Sequence, residues 1–187
     1  MDQQPTETSS ETVADAVDLL TRDHRLIDEL FAGFFEAAPQ QLDPLARRLC
    51  KMIRIHMRIV DEIFYPAVRR ALDANPSLGE ARTAHDDIMQ AVMRIESLTS
   101  SAPEFNAAVE SLRELLTAHV ESEEHELFPQ VRAAKIDLVS LGQTLSERRD
   151  TLMDVLGLHV DDEEGAANMR DLQRPAAARA AVLRQMN

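Results

Sequence analysis

The chain has 187 residues, enough for one domain with appendages. With 44% apolar and 28% charged residues, but 5 Gly, one Tyr and no Trp, its composition starves sheets and favours helices, so the expected fold is all-α. A net charge of −13 argues against nucleic-acid binding, and the single cysteine, Cys50, excludes a disulfide framework or a thiolate metal site.

Residues 1–11 are polar, lack apolar periodicity and read as a disordered tail. They carry neither a positive segment nor an apolar one of the signal-peptide kind, and no apolar run reaches the ~18 residues of a membrane span, so a cytoplasmic protein is expected. Thr8-x-x-Glu11 resembles a capping box and predicts a first helix from near Thr12, carrying Val13, Val17, Leu20, Ile27, Leu30, Phe31 and Phe34 on one face. Ala38-Pro39 ends it. Asp43-Pro44 predicts the cap and first turn of a second helix, with Leu45, Leu49, Met52, Ile53, Ile59, Val60 and Ile63 apolar and a kink at Pro66.

Asn75-Pro76-Ser77 reads as a turn, and Ser77-x-x-Glu80 as the cap of a third helix to about Leu98. Ser101-x-x-Glu104 predicts the cap of a fourth helix, kinked at Pro129 and ending near Ala134. Leu138, Leu141, Leu145, Leu152 and Val155 predict a shorter helix within 136–157; residues 158–187 form an acidic and then Ala/Arg-rich tail. The expected architecture is an up-down-up-down four-helix bundle over 12–135 with an additional C-terminal helix.

The chain repeats itself. HMRIVDEIFYPAVRRA from His56 and HVESEEHELFPQVRAA from His119 each place a Pro ten residues after the His, followed by Val and Arg. His24-x-x-Ile27 and His85-x-x-Ile88 match more weakly, which gives two helical hairpins with a histidine on each helix. In an antiparallel hairpin, residues equidistant from the loop lie at one depth. His24 and His56 are centred on Gln40, and His85 and His119 on Ala102, both inside predicted loops, so each pair is level.

All four histidines sit on apolar stripes, and Glu123, one turn beyond His119, lies about 40° round the helix on the same face. A lone histidine on such a face is usually a satisfied core residue. Four, paired in depth beside a carboxylate, cost free energy on burial unless something pairs them. A metal does so, and imidazole plus carboxylate without thiolate suits iron, zinc or manganese. No Glu-x-x-His pair of the ferritin-like kind and no HExxH motif occurs.

DHRLIDELF around His24, the His-x10-Pro from His56, the isolated His85 and HVESEEHELFP from His119 resemble, in order and over roughly residues 15–135, the HHE-type hemerythrin-like domain. The resemblance implies a non-haem di-iron centre in a four-helix bundle, with the ligand pattern His, His-x-x-x-Glu, His, His-x-x-x-Glu. On this chain it falls on His24, His56, His85, His119 and Glu123 as metal ligands, with two irons expected and one as the lesser outcome. Met89 stands where oxygen carriers of that family have a second histidine on the third helix, so the chain resembles the bacterial branch. Val60 stands where the first bridging glutamate belongs.

Asp61 and Glu62 lie about 140° and 240° round from His56 on an undistorted helix, so neither points inward, although a distortion before Pro66 would bring Glu62 closer. Glu126 is the better substitute carboxylate, with Asp28 as another. His125 and His159 are expected off the site, Tyr65 and Phe128 as packing groups, Cys50 as buried filler, and Met52, Met57, Met89 and Met93 as core lining.

The expected function is that of an iron protein engaging dioxygen, nitric oxide or peroxide in sensing, scavenging or stress defence, with no acid–base pair for other substrate chemistry. The alternative, favoured by Val60, is a helical interaction or regulatory module that has lost its metal.

Overall fold

A computed structural model describes residues 15–72 and 76–158, which are mostly helical with no strand among them. The predicted tails at 1–11 and from 159 onward, with Thr8-x-x-Glu11 and His159, lie outside the described residues. In chain order the elements are α1 (Ala16–Phe35), a 3-10 turn (Pro39–Gln41), α2 (Leu42–Ile59), a π-helical turn (Val60–Phe64), α3 (Tyr65–Ala71), α4 (Pro76–Glu96), α5 (Phe105–Ser122), a second π-helical turn (Glu123–Leu127), α6 (Phe128–Ala133) and α7 (Leu138–Leu156).

Four helix starts differ from expectation. The cap of α1 is Asp15, whose side chain accepts from the Asp18 amide. Asp43 lies inside α2 and not ahead of it; its carboxylate instead accepts from Ser100 N at 2.9 Å and Ser100 Oγ at 2.7 Å, tying the two interhelix loops together. Ser77 and Ser101 are not caps either: α4 already includes Ser77, and Ser101 Oγ bonds Thr99 while α5 begins only after Glu104. The C-terminal helix is as predicted, opened by Asp137 on the Ser140 amide and stopped by Gly157, whose φ of 62° favours glycine.

Each predicted proline kink is a π-helical turn. Pro66 and Pro129 have no N–H to give the carbonyl four residues back. In each case the residue just before the proline bonds one position farther, Tyr65 N to Val60 O and Phe128 N to Glu123 O. Each wider turn holds one extra residue, which rotates all that follows relative to the helix before it.

The inward stripes form one core that includes Leu20, Ile27, Phe31, Phe34, Ile53, Ile59, Val60, Phe64, Ile88, Val92, Leu112 and Leu116. At ~1.5–3 kcal/mol for each large apolar side chain buried, this core is what holds the helices together. α1 packs on α2, α4 on α5 and α2 on α4, while α7 lies across α1 and α2. Between α1 and α5 a cleft of about 200 Å³ remains. Among the methionines expected in the lining, Met52 and Met57 are buried, but Met93 is 52% exposed because it lies on the outer face of α4.

Candidate metal centre

Inside the bundle, the buried polar and charged residues among those described are Asp23, His24, His56, His85, His119 and Glu123. The level pairs are found as spaced: the rings of His24 and His56 are 4.8 Å apart, and those of His85 and His119 are 4.7 Å apart. One ligand atom from each of His24, His56, His119 and Glu123 lies within 4.8 Å of the others. Glu123 Oε2 is 3.3 Å from His24 Nε2 and 3.5 Å from His119 Nε2.

His85 stands beside this group. Its Nε2 is 3.3 Å from His119 Nε2 and 3.1 Å from the Tyr65 hydroxyl, which donates to Glu123 Oε1 at 2.8 Å. Tyr65 is thus a site residue, not merely a packing group. On a regular helix it would face directly away from His56, nine residues earlier; the extra residue of the π-helical turn swings it inward. Its counterpart Phe128 stacks on His24, with ring centroids 5.8 Å apart and planes within 4°.

The outer nitrogens of three histidines face carboxylates. His24 Nδ1 lies 2.9 Å from Glu124 Oε1, His85 Nδ1 lies 3.0 Å from Asp61 Oδ1, and His56 Nδ1 lies 3.8 Å from Asp23 Oδ2. A carboxylate accepts and cannot donate, so at hydrogen-bond distance Glu124 and Asp61 draw a ring proton to Nδ1 of His24 and His85, while Asp23 makes only a longer ion-pair contact with His56. Tyr65 donates its hydroxyl hydrogen bond to Glu123, so the phenol oxygen turns a lone pair toward His85 Nε2, which lies beside His119 Nε2. His24 Nε2, both His56 ring nitrogens and Glu123 Oε2 are buried with no hydrogen-bond partner among the described residues. Orphaned buried atoms of this kind each cost about 1–3 kcal/mol. A cation among them removes that cost, so the donor set fits one.

The electrostatics follow from burial and proximity. Burial raises the affinity of Glu123 for a proton, but the nearby rings of His24, His119 and His56 outweigh it and hold the carboxyl well below its usual range. Burial pushes His119 down to about 3 and also lowers His56. His24 is raised, since Glu123 and Glu124 overcome its desolvation. Burial, reinforced by Glu123, raises the Tyr65 phenol and keeps it protonated.

None of the substitute carboxylates enters. The distortion before Pro66 exists, but Glu62 stays on the surface with Arg58 at 2.6 Å and Arg148 at 2.9 Å. Glu126 is exposed because it falls inside the second π-helical turn, which rotates it away from the face of His119. Asp28 is exposed on the rim of the α1–α5 cleft. Val60 is fully buried. His125 is exposed and spans to the Glu121 carbonyl, and Cys50 is buried, both as expected.

Sequence reasoning missed Asp23 and Glu124 and set aside Asp61 and Tyr65. Asp61 and Glu124 occupy equivalent places in the repeat, five residues after His56 and His119, and that duplicated acid was the available signal.

The fold and this cluster agree with what the chain is similar to. The hemerythrin HHE cation-binding domain matches residues 15–131, and the chain belongs to that family. A crystal structure of a hemerythrin HHE cation-binding domain-containing protein from Mycobacterium kansasii shares the fold. It has a TM-score of 0.68 and 24% identity, covering 83% of this chain and 98% of that one. A DNA nickase from Nostoc sp. (strain PCC 7120) is 26% identical over 116 residues, 62% of this chain and 33% of that protein, so this chain spans about a third of that relative's length. Among the described residues, no helix is long and apolar enough to cross a membrane.

Proposed function

We propose that this protein is a cytoplasmic non-haem iron protein that engages dioxygen, nitric oxide or peroxide in sensing or stress defence. His24 and His56 would hold one iron, His85 and His119 a second, and Glu123 would bridge them. The observation that carries this reading is the convergence of buried donor atoms around Glu123, with three of the histidines facing carboxylates.

Iron in such a set supplies redox chemistry and affinity for small oxygen and nitrogen ligands. The chain's own residues do the rest. Phe128, stacked on His24, and Phe64, packed edge-on against Phe128, exclude water from that side of the centre. Tyr65 holds a proton at its hydroxyl between Glu123 and His85. The α1–α5 cleft reaches His24 between Ile27, Phe31, Leu116 and Val120, and its volume of about 200 Å³ suits a small ligand.

The absence of a second bridging glutamate favours one further reading, a single metal held by His24, His56, His119 and Glu123. Metal content per chain, measured by elemental analysis after expression in iron-supplemented medium, separates the outcomes. About two irons are expected. About one would support the single site, and none on a folded helical protein would overturn both and leave a metal-free interaction module.

A further inference from the structure

Of the three histidines that face acids, His56 is the one whose acid is held by a residue of α7. Asp23 Oδ2 stands 3.8 Å from His56 Nδ1, and its other oxygen accepts from Arg149 Nε at 2.9 Å. Arg149 belongs to α7, and its guanidinium also touches Met153 Sδ, one turn on, at 3.2 Å. The Asp23 side chain is 4% exposed and that of Arg149 20%, so the pair is formed largely out of water. A buried carboxylate stripped of its cation is costly and turns toward solvent, away from the imidazole beside it.

We propose that α7 is a working part of the metal centre: Arg149 is a positioning residue that fixes Asp23, and Asp23 fixes the ring of His56 with Nδ1 outward and Nε2 toward the centre. This rests on the metal-binding reading above. The dependence falls on the half of the site that needs it, since His56 belongs to the hairpin that carries Val60 in place of a glutamate. The other backed histidines draw on acids from the paired hairpin, Glu124 for His24 and Asp61 for His85.

α7 has other anchors that do not touch a histidine. Arg148 donates to Glu62 at 2.9 Å, and Lys51 Nζ donates to the Leu156 carbonyl at 2.7 Å. These contacts separate a positioning role for Arg149 from simple docking of the helix.

The experiment uses the full chain. Arg149→Met keeps the bulk and removes the charge, Arg149→Lys keeps the charge, and Arg148→Met breaks an anchor of the same helix away from the site. Iron(II) release to a competing chelator is expected to be about 10- to 100-fold faster in Arg149→Met, partly restored in Arg149→Lys and near wild type in Arg148→Met, with unchanged far-ultraviolet circular dichroism. Equal effects of Arg149→Met and Arg148→Met, or no effect of Arg149→Met, would overturn the proposal. Nitrogen NMR of the His56 ring in the metal-free protein gives an independent readout: the Nδ1–H tautomer is expected in wild type and a mixture in Arg149→Met. An identical tautomer in both would overturn the positioning role, whereas failure of wild type to take up iron would overturn the metal reading alone.

Discussion

Glu124 reaches from the second hairpin to accept from Nδ1 of His24 at 2.9 Å, while its other oxygen is held by Arg25. This carboxylate orients the ring without touching the candidate metal position. Glu124→Gln, which gives up the charge, is expected to weaken metal affinity by about 10- to 100-fold with the helical content retained. Competition titration against a chelator of known affinity checks it.

Val60 occupies the place in the first hairpin that Glu123 occupies in the second, and it is fully buried. Val60→Glu is expected to raise iron bound per chain while lowering the stability of the metal-free form, since a buried acid without a partner is costly. Elemental analysis together with thermal melts with and without metal measures both. Unchanged iron content would mean that position 60 does not face the metals.

The Tyr65 hydroxyl partners both Glu123 and His85. Tyr65→Phe keeps the ring and leaves Glu123 Oε1 without its donor, so the metal-free protein is expected to lose about 1–3 kcal/mol. Denaturant unfolding of the two apo forms is the check.

Asp43 gives a pH-dependent prediction. Hydrogen bonds from the Ser100 side chain and backbone depress its pKa below the ordinary 3.8. A depressed carboxylate contributes stability that is fully present above its unfolded pKa and is lost as pH falls through the folded one. The stability gap between wild type and Asp43→Ala is therefore expected to be constant near neutrality and to narrow as pH falls below 3.8. Urea unfolding across that range tests the sign.

Burial, with Glu96 adding to it, pushes the Cys50 thiol up to about 12. At neutral pH the native protein is expected to react with a thiol-specific reagent orders of magnitude more slowly than the unfolded chain. A thiol titration with and without denaturant reads the ratio.

What the sequence determined was the helical fold, the two hairpins and the depth of the histidines. Apolar spacing of 3.6 residues and loop midpoints are local properties, and they placed His24 beside His56 and His85 beside His119 without any knowledge of packing. The tertiary structure decided which acids stand behind those rings. Glu124 and Asp61 act on histidines of the opposite hairpin, and Asp23 is held by an arginine more than a hundred residues away, so no spacing rule along one helix could reveal them. Tyr65 was hidden for a different reason. A missing proline N–H moved one hydrogen bond from four residues back to five, and the resulting rotation brought to the centre a side chain that a regular helix would have turned away.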